Sequence, residues 1–259
     1  MSDLDLVGKL ISLEDAISAA AVPHAFGGAI ALAAYAEPRG TADLDLGVFL
    51  DSDATERILS VLGTLGMDTD VDVDLIKAGD WGRLYWGATP VDFFFSYTPM
   101  HFEAQRRVRS LAVRGAEIPV LGPEDVIGLK AVFNREKDWV DVDSILREQK
   151  DIDVDVVRRW LETTYGDSRH GLAERVGRFN ELARRRGHAT IARSPSRRRR
   201  WMRHTADEDV YGPSSVAAAR RTPQRGRRPA GSPAGGQFTG TSHPEANEVE
   251  LDRPPPESE

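Results

Sequence analysis

Residues 24–50, HAFGGAIALAAYAEPRGTADLDLGVFL, carry the pattern on which the fold prediction depends. A short apolar run ends in Gly27-Gly28, and the small residues at 29–36 predict a helix that stops before a proline. Residues 41–50 then alternate apolar with polar or small side chains, which is typical of a strand. The predicted order is therefore apolar segment, glycine turn, helix and strand.

Three aspartates are the candidate catalytic residues. Asp43 and Asp45 alternate along the strand predicted at 41–50, so their carboxylates point the same way and repel each other unless a cation lies between them. Asp92 lies at the start of a second apolar strand, PVDFFFSY, which is predicted at 90–97. If the two strands are neighbours, Asp92 completes a two-metal site for Mg2+, an ion that commonly bridges carboxylates to phosphate oxygens.

The glycine pair is a candidate phosphate-binding segment. Gly27 and Gly28 precede a predicted helix, where glycine allows close backbone approach to a phosphate and the helix start offers free N–H groups. Both signals have simpler explanations, since a glycine pair is often only a tight turn. The D-x-D pattern also recurs at 68–75, 141–143 and 151–155. The ordered combination of glycines and three aspartates, rather than any single motif, therefore supports a triphosphate site beside a metal site.

The rest of the chain is predicted to be mainly helical up to residue 186. Helices are expected at 12–21, 54–65, 103–108, 123–133, 137–147, 154–165 and 171–186. Residues 69–86 are ambiguous, and an extended piece, a short helix and a strand at 83–86 is the favoured interpretation. Residues 118–121 contain a proline, which cannot donate to a ladder, and they therefore predict a short edge strand or extended piece.

Composition excludes several classes of protein. The 259 residues contain no cysteine, so the chain has no disulfide framework and no cysteine-ligated zinc site, which fits a reducing compartment. No apolar run approaches the roughly 20 residues of a membrane helix, and the acidic, periodic start is unlike a secretory signal. A cytoplasmic protein with no membrane partner is therefore expected.

Charge is distributed unevenly along the chain. The net charge is −7, yet residues 184–228 are strongly basic and residues 229–259 are acidic. From residue 193 onwards the composition, rich in Arg, Pro, Gly and Ser, predicts a disordered tail that could contact nucleic acid. A second basic cluster is interpreted as the exposed side of a helix, with an RNA contact as the alternative. Its members are Arg106, Arg107, Arg109 and Arg114.

These motifs together resemble the nucleotidyltransferase superfamily. Residues 24–50 are similar to its opening motif, which runs from an apolar residue through Gly-Gly or Gly-Ser and a helix to D-x-D on a strand. The form Arg39-x-Thr41-x-Asp43-Leu44-Asp45 resembles the bacterial minimal nucleotidyltransferases, including the AbiEii-like abortive-infection toxins. PEDVIGLKAVFNREKDWVDVDSIL, residues 123–146, resembles a later segment of the same group. The resemblance covers roughly residues 21–146.

The resemblance implies an α+β fold: a small mixed sheet with flanking helices and a C-terminal helical segment, followed by the disordered tail. It divides the chain into a nucleotidyltransferase-like catalytic domain at 1–150, a C-terminal helical extension at 151–192 and an Arg/Pro/Gly-rich tail with an acidic end at 193–259.

The resemblance also implies roles for individual residues. The catalytic residues and metal ligands are Asp43, Asp45 and Asp92, which would hold Mg2+, with Mn2+ as an alternative. The nucleotide-binding residues are Gly27, Gly28, Arg39, Thr41, Lys130 and Lys137. From the residues alone the alternatives stay open. Lys130 also fits a solvated helix face, Arg39 a loop salt bridge, Thr41 a hydrogen bond to nearby backbone, and Asp141 a pair with an arginine.

The implied activity is metal-dependent transfer of a nucleoside monophosphate from a nucleoside triphosphate, such as ATP, to an acceptor. The acceptor is RNA such as tRNA, a protein or a small molecule. The abortive-infection resemblance further implies a toxin of a toxin–antitoxin or phage-defence system, with a cognate antitoxin as partner. The alternative is a pseudo-nucleotidyltransferase that binds a nucleotide or a partner without catalysis.

Overall fold

A computed structural model describes residues 4–165 and 169–191, so the predicted tail at 193–259 lies outside the described residues. In the described part, the strands are β1 (His24–Phe26), β2 (Leu44–Val48), β3 (Trp81–Trp86), β4 (Thr89–Phe95), β5 (Arg109–Val113) and β6 (Ala116–Val120). They form one six-stranded sheet in the order β3-β4-β2-β1-β6-β5. The β2–β4 and β1–β6 pairs are parallel and the other three are antiparallel, so the predicted mixed sheet is confirmed.

Helices flank this sheet, as predicted. They are α1 (Leu6–Ala19), α2 (Gly28–Ala33), α3 (Thr55–Thr64), α4 (Val73–Gly79), α5 (Pro99–Ala104), α6 (Pro123–Phe133), α7 (Glu136–Glu148), α8 (Val154–Tyr165) and α9 (Arg169–Arg186). The fold is therefore α+β, and the helices predicted at 123–133 and 154–165 agree with α6 and α8 at both ends. Within the ranges that the structure describes, no helix is both long enough and apolar enough to cross a membrane.

The two faces of the sheet differ in chemistry. Alternate residues of β2 and β4 point into the apolar core, where they are almost fully buried: Leu44, Leu46, Val48, Val91, Phe93 and Phe95. The same core contains the buried leucines and isoleucines of α1 and α3. Because side chains alternate along a strand, Asp45 and Asp92 lie on the opposite face, which is less completely buried.

Two predicted element boundaries are wrong for identifiable reasons. The helix predicted at 12–21 begins at Leu6, because the Asp5 carboxylate caps it by accepting a hydrogen bond from the Gly8 amide at 2.7 Å. The strand predicted at 83–86 begins two residues earlier, at Trp81, after the short helix α4. In both cases the element is present; α1 also ends two residues earlier than predicted, at Ala19, whereas β3 ends at residue 86 as predicted.

The secondary structure around the basic cluster differs more from the prediction. The predicted helix at 103–108 is instead the end of α5, which finishes at Ala104, followed by a 3-10 turn at Gln105–Arg107. Residues 109–120 form a β-hairpin, whose turn residues Arg114 and Gly115 both have positive φ, at 50° and 85°. The basic residues are therefore not one face of a helix, and β6 is an interior strand between β1 and β5 rather than an edge.

The C-terminal helices dock on α6 through a buried carboxylate. The Asp125 side chain is fully buried and accepts two hydrogen bonds from Arg107, at 2.9 and 2.7 Å. It also accepts a hydrogen bond at 2.8 Å from Nε1 of Trp160, a fully buried residue of α8. Gly128 of α6 leaves the space that the Trp160 ring fills. One aspartate therefore ties α6, α8 and the segment after α5 together.

A histidine at this junction is expected to make stability depend on pH. His101 packs edge-on against Trp160, with ring centroids 4.7 Å apart, and burial lowers its pKa from 6.5 to about 4. The unfolded chain binds the proton more tightly than the folded protein, so stability is lost as pH falls from 6.5 through about 4. We expect His101 to account for a loss on the order of 2–3 kcal/mol over this window. Urea unfolding at pH 7, 5.5 and 4.5 measures it.

The comparison that isolates this effect is His101→Gln, because the variant keeps a polar side chain but cannot be protonated. Its free energy of unfolding should fall less steeply over the same window than that of the wild-type protein. Equal slopes for the two proteins would show that His101 does not contribute.

Candidate active site

Two of the three predicted catalytic aspartates are neighbours on one face of the sheet. Asp45 of β2 and Asp92 of β4 are register partners on neighbouring parallel strands, whose backbones are separated by about 4.8 Å. Asp43 lies two residues before Asp45, immediately before β2, and its charge acts on Asp45. The register therefore makes Asp45 and Asp92 neighbours, whereas the role of the three aspartates as catalytic residues and metal ligands stays a prediction.

The electrostatics of Asp45 indicate a concentration of negative charge. Burial, followed by the charges of Asp92 and Asp43, raises the pKa of Asp45 to about 6. Lys130 and Arg135 act in the opposite direction but do not cancel the increase. The pocket around Asp45 therefore favours either a bound proton or an additional cation.

These donors suit a hard divalent cation in chemical type. Mg2+ takes oxygen ligands, and Asp45 and Asp92 supply carboxylate groups from neighbouring strands, with Asp43 two residues before Asp45. As the side chains are oriented, the described ranges contain no group of three or more His, Cys, Asp or Glu residues placed to hold a metal. Asp92 instead directs both oxygens to Arg83, which donates from Nε at 2.5 Å and from Nη2 at 2.7 Å.

The glycine pair packs directly on Asp45. The Gly27 amide donates a hydrogen bond to the Asp45 carbonyl oxygen at 2.8 Å. Gly28 has a φ of +56°, and a Cβ at this position would overlap the Asp45 carboxylate. Only glycine therefore fits at residue 28, both for its backbone conformation and for the space that it leaves. The predicted contact of this pair with a triphosphate stays a prediction.

Arg39 and Lys130 meet at one buried carboxylate. Asp141 accepts hydrogen bonds from Nε and Nη2 of Arg39, at 3.1 and 3.0 Å, and from Nζ of Lys130, at 2.5 Å. Burial raises the pKa of Asp141, but these hydrogen bonds outweigh it and lower the pKa below its ordinary value. Three of the open alternatives are thereby decided, because Asp141 pairs with an arginine, Arg39 forms a salt bridge, and the buried Lys130 is not on a solvated face.

The remaining predicted nucleotide-binding residues differ in their surroundings. The Thr41 hydroxyl lies 3.2 Å from the amide nitrogen and 3.3 Å from the carbonyl oxygen of Asp43, so it orients the backbone before β2. Lys137 is exposed near the start of α7 and has no hydrogen bond or ion pair with the described residues. Thr41 therefore contacts the backbone of Asp43, whereas Lys137 contacts none of the three aspartates.

The sequence interpretation missed two arginines near the carboxylates. Arg83 of β3 is the register partner of Asp92 and binds it through both oxygens. Arg135 is held by Asp138, which accepts hydrogen bonds from its guanidinium at 2.7 and 3.0 Å, and its charge acts on Asp45. The contact of Arg83 could have been predicted from the hairpin formed by β3 and β4, because its turn determines that residue 83 pairs with residue 92.

Comparisons with known proteins give likeness in structure only. No protein-family model matches this chain, and no curated protein matches it. The antibiotic-resistance factor ANT(2'')-Ia aligns over 70% of this chain and 97% of its own, with 16% identity and a TM-score of 0.42. An antigenic nucleotidyltransferase-like protein from Paracoccidioides brasiliensis aligns over 72% of this chain and 94% of its own, with 15% identity and a TM-score of 0.45.

A third solved structure, a candidate nucleotidyltransferase from H. pylori, aligns over 70% of this chain and 80% of its own, with 15% identity and a TM-score of 0.38. Likeness at this level does not assign an activity.

Proposed function

We propose that this protein is a metal-dependent nucleotidyltransferase that moves a nucleoside monophosphate from a nucleoside triphosphate to an acceptor. The observation that supports it is the register of β2 and β4, which makes Asp45 and Asp92 neighbours on one face with Asp43 beside them. Burial raises the pKa of Asp45, and the charges of Asp92 and Asp43 raise it further, which is the type of environment in which a functional carboxylate is expected.

Asp43, Asp45 and Asp92 would hold Mg2+, or Mn2+ in its place. When bound, the metal would neutralise charge on the triphosphate and lower the pKa of the attacking group. Gly28 leaves the space in which the Asp45 carboxylate lies, and Thr41 orients the backbone of Asp43. These two residues therefore keep the first two carboxylates in place before any ligand binds.

Arg39 is the better candidate for direct contact with phosphate than Lys130. The Arg39 side chain is 42% exposed, whereas that of Lys130 is 8% exposed and donates to Asp141. The one carboxylate of Asp141 is shared by two cations, so the group carries a net positive charge near Asp45. Lys130 would act through this field, and Arg39 would present its planar guanidinium to a phosphate.

The acceptor and the biological role are proposed from the motif resemblance. RNA such as tRNA, a protein and a small molecule are the acceptor classes, and a toxin paired with a cognate antitoxin is the proposed setting. Incubation of the protein with each labelled triphosphate and with total cell RNA or protein would identify which fraction becomes labelled.

A non-catalytic nucleotide-binding protein is the second candidate, and one observation favours it. Arg83 engages both oxygens of Asp92, so part of the carboxylate charge is neutralised by the protein itself. Isothermal titration with ATP and Mg2+, combined with the labelling assay, separates the two candidates. Binding without labelling of any acceptor fraction would support the non-catalytic alternative.

The decisive variant for catalysis is Asp43→Asn, which keeps the size of the side chain and removes its charge. We expect transfer to fall by about 100-fold, the magnitude typical of the loss of one group that stabilises transition-state charge. Asp70→Asn is the matched control, because Asp70 is exposed and lies outside the candidate site. Full activity of Asp43→Asn would contradict the proposed function.

A further inference from the structure

Arg83 and Asp92 form a two-point ion pair inside the candidate site. The two residues are opposite each other on β3 and β4, and their hydrogen bonds of 2.5 and 2.7 Å use both carboxylate oxygens. The Asp92 side chain is 9% exposed, while that of Arg83 is 33% exposed. The carboxylate is therefore buried, and the guanidinium reaches it from the more open side.

This pair conflicts with a metal at the same carboxylate. A guanidinium within hydrogen-bonding distance of both oxygens repels a divalent cation that approaches them. In the protein without a ligand, however, the pair is needed, because Asp92 would otherwise be an uncompensated buried charge next to Asp45. The arginine and the metal would therefore neutralise the same carboxylate at different times.

The arginine has a second type of partner available when it leaves Asp92. The planar guanidinium that binds a carboxylate at two points binds a phosphate in the same way. The charge of Asp43 also acts on Arg83, so the guanidinium lies near the carboxylates of the candidate site.

We propose that Arg83 is a positioning residue that neutralises Asp92 in the metal-free protein and transfers its hydrogen bonds to a triphosphate oxygen when Asp92 turns to the metal. This inference rests on the proposed function. Arg83 would thereby couple metal binding to nucleotide binding. The metal displaces the guanidinium from Asp92, and the triphosphate supplies the anion that the guanidinium then binds.

The first test measures Mn2+ binding to the full-length protein without nucleotide, by the electron paramagnetic resonance signal of free Mn2+. Arg83→Gln removes the competing charge, so we expect it to bind Mn2+ about tenfold more tightly than the wild-type protein. Arg147→Gln is the control, because Arg147 is also partly exposed and pairs with Glu148 rather than with the site. Unchanged or weaker Mn2+ binding by Arg83→Gln would overturn the inference.

Two further measurements distinguish exchange from a purely structural ion pair. Arg83→Gln should melt at a lower temperature than the wild-type protein in EDTA, and saturating Mn2+ should remove that difference. ATP binding at saturating Mn2+ should weaken about tenfold. A melting difference of equal size with and without Mn2+, or unchanged ATP affinity, would indicate a structural role only.

Two additional variants control for misfolding and test whether the increase in Mn2+ affinity depends on Asp92. Arg83→Lys keeps the charge but loses the two-point geometry, so its Mn2+ affinity should lie between those of the wild-type protein and Arg83→Gln. Adding Asp92→Asn to Arg83→Gln should abolish the gain in affinity. If Arg83→Gln binds Mn2+ more tightly but the wild-type protein labels no acceptor, the proposed function fails and the inference about Arg83 stands. If the wild-type protein labels an acceptor but Arg83→Gln does not bind Mn2+ more tightly, only the inference about Arg83 is overturned.

Discussion

Asp45→Asn is expected to abolish nucleotidyl transfer and, at the same time, to stabilise the metal-free protein. Burial and the charges of Asp92 and Asp43 raise the pKa of Asp45 from 3.8 to about 6, so ionised Asp45 opposes folding. Stability is lost as pH rises from 3.8 through about 6, because the folded state binds the proton more tightly than the unfolded chain. At pH 8 the full cost is present, on the order of 2–3 kcal/mol.

Asparagine has nearly the same shape and cannot ionise, so it removes this cost. In EDTA at pH 8 we expect the melting temperature of Asp45→Asn to exceed that of the wild-type protein by roughly 4–8 °C. At pH 4 the two proteins should melt at similar temperatures. Transfer should fall by about 1000-fold, more than for Asp43→Asn, because Asp45 lies between the other two carboxylates and against the glycine pair.

The combination of results is what tests the interpretation. A variant that is inactive because it is damaged would melt lower at every pH, whereas loss of a functional charge leaves the protein more stable. Divalent cation should raise the melting temperature of the wild-type protein at pH 8 and have little effect on Asp45→Asn. A lower melting temperature for Asp45→Asn at pH 8 would show that the carboxylate is not under electrostatic strain.

The carboxylate cluster could be predicted from the sequence because it depends on local periodicity. The alternation of residues 44–48 fixes the face of β2 to which Asp45 belongs, and Asp92 lies within the apolar run that forms β4. The one non-local requirement was that β2 and β4 be neighbours, which two buried apolar strands in a small sheet readily satisfy.

The pairing of Arg83 with Asp92 could have been derived but was missed. Trp86 and Thr89 are opposite each other, so Gly87 and Ala88 form a two-residue turn. Counting back from that turn places residue 83 opposite residue 92. A strand is predicted at 83–86, but the turn at 87–88 is not identified. Without the turn the register of β3 against β4 is not fixed, and the contact between Arg83 and Asp92 cannot be predicted.

The hairpin formed by β5 and β6 was hidden by its turn chemistry. A two-residue turn with positive φ at both positions favours Asn-Gly or Asp-Gly, whereas this turn is Arg114-Gly115. The arginines around it also suggested a solvated helix. The Arg39–Asp141 pair is harder still, because it joins residues 102 positions apart and depends on side-chain packing between distant segments.

Gly28→Ala is expected to lower both the stability of the protein and the rate of nucleotidyl transfer, because the added methyl group would contact the Asp45 carboxylate. Alanine is strained at the φ of +56° found here, which costs about 1 kcal/mol, and its methyl group would overlap the Asp45 carboxylate. We expect a total loss of about 2–4 kcal/mol in the free energy of unfolding, because a buried overlap adds a cost of this order to the backbone strain. Transfer should fall by at least about 100-fold as the carboxylate is displaced.

Gly27→Ala is the matched control for folding. A Cβ on Gly27 would lie 3.5 Å from Leu121 and 3.8 Å from the Cβ of Asp45, which are ordinary contacts, and its φ of −111° suits alanine. The two adjacent substitutions should therefore differ sharply in urea unfolding. Equal stability of the two variants would mean that Gly28 is not constrained by Asp45.

A double-mutant cycle separates backbone strain from the overlap with Asp45. In an Asp45→Ala background the carboxylate is absent and only a tight contact with the Cβ of residue 45, at 3.2 Å, remains, so Gly28→Ala should cost little more than the backbone strain of about 1 kcal/mol. Non-additivity between the two substitutions therefore measures the contact itself, independently of any catalytic assay. If the cost of Gly28→Ala is the same in both backgrounds, residue 28 is a glycine only because of its φ, and the glycine pair has no direct part in placing the Asp45 carboxylate.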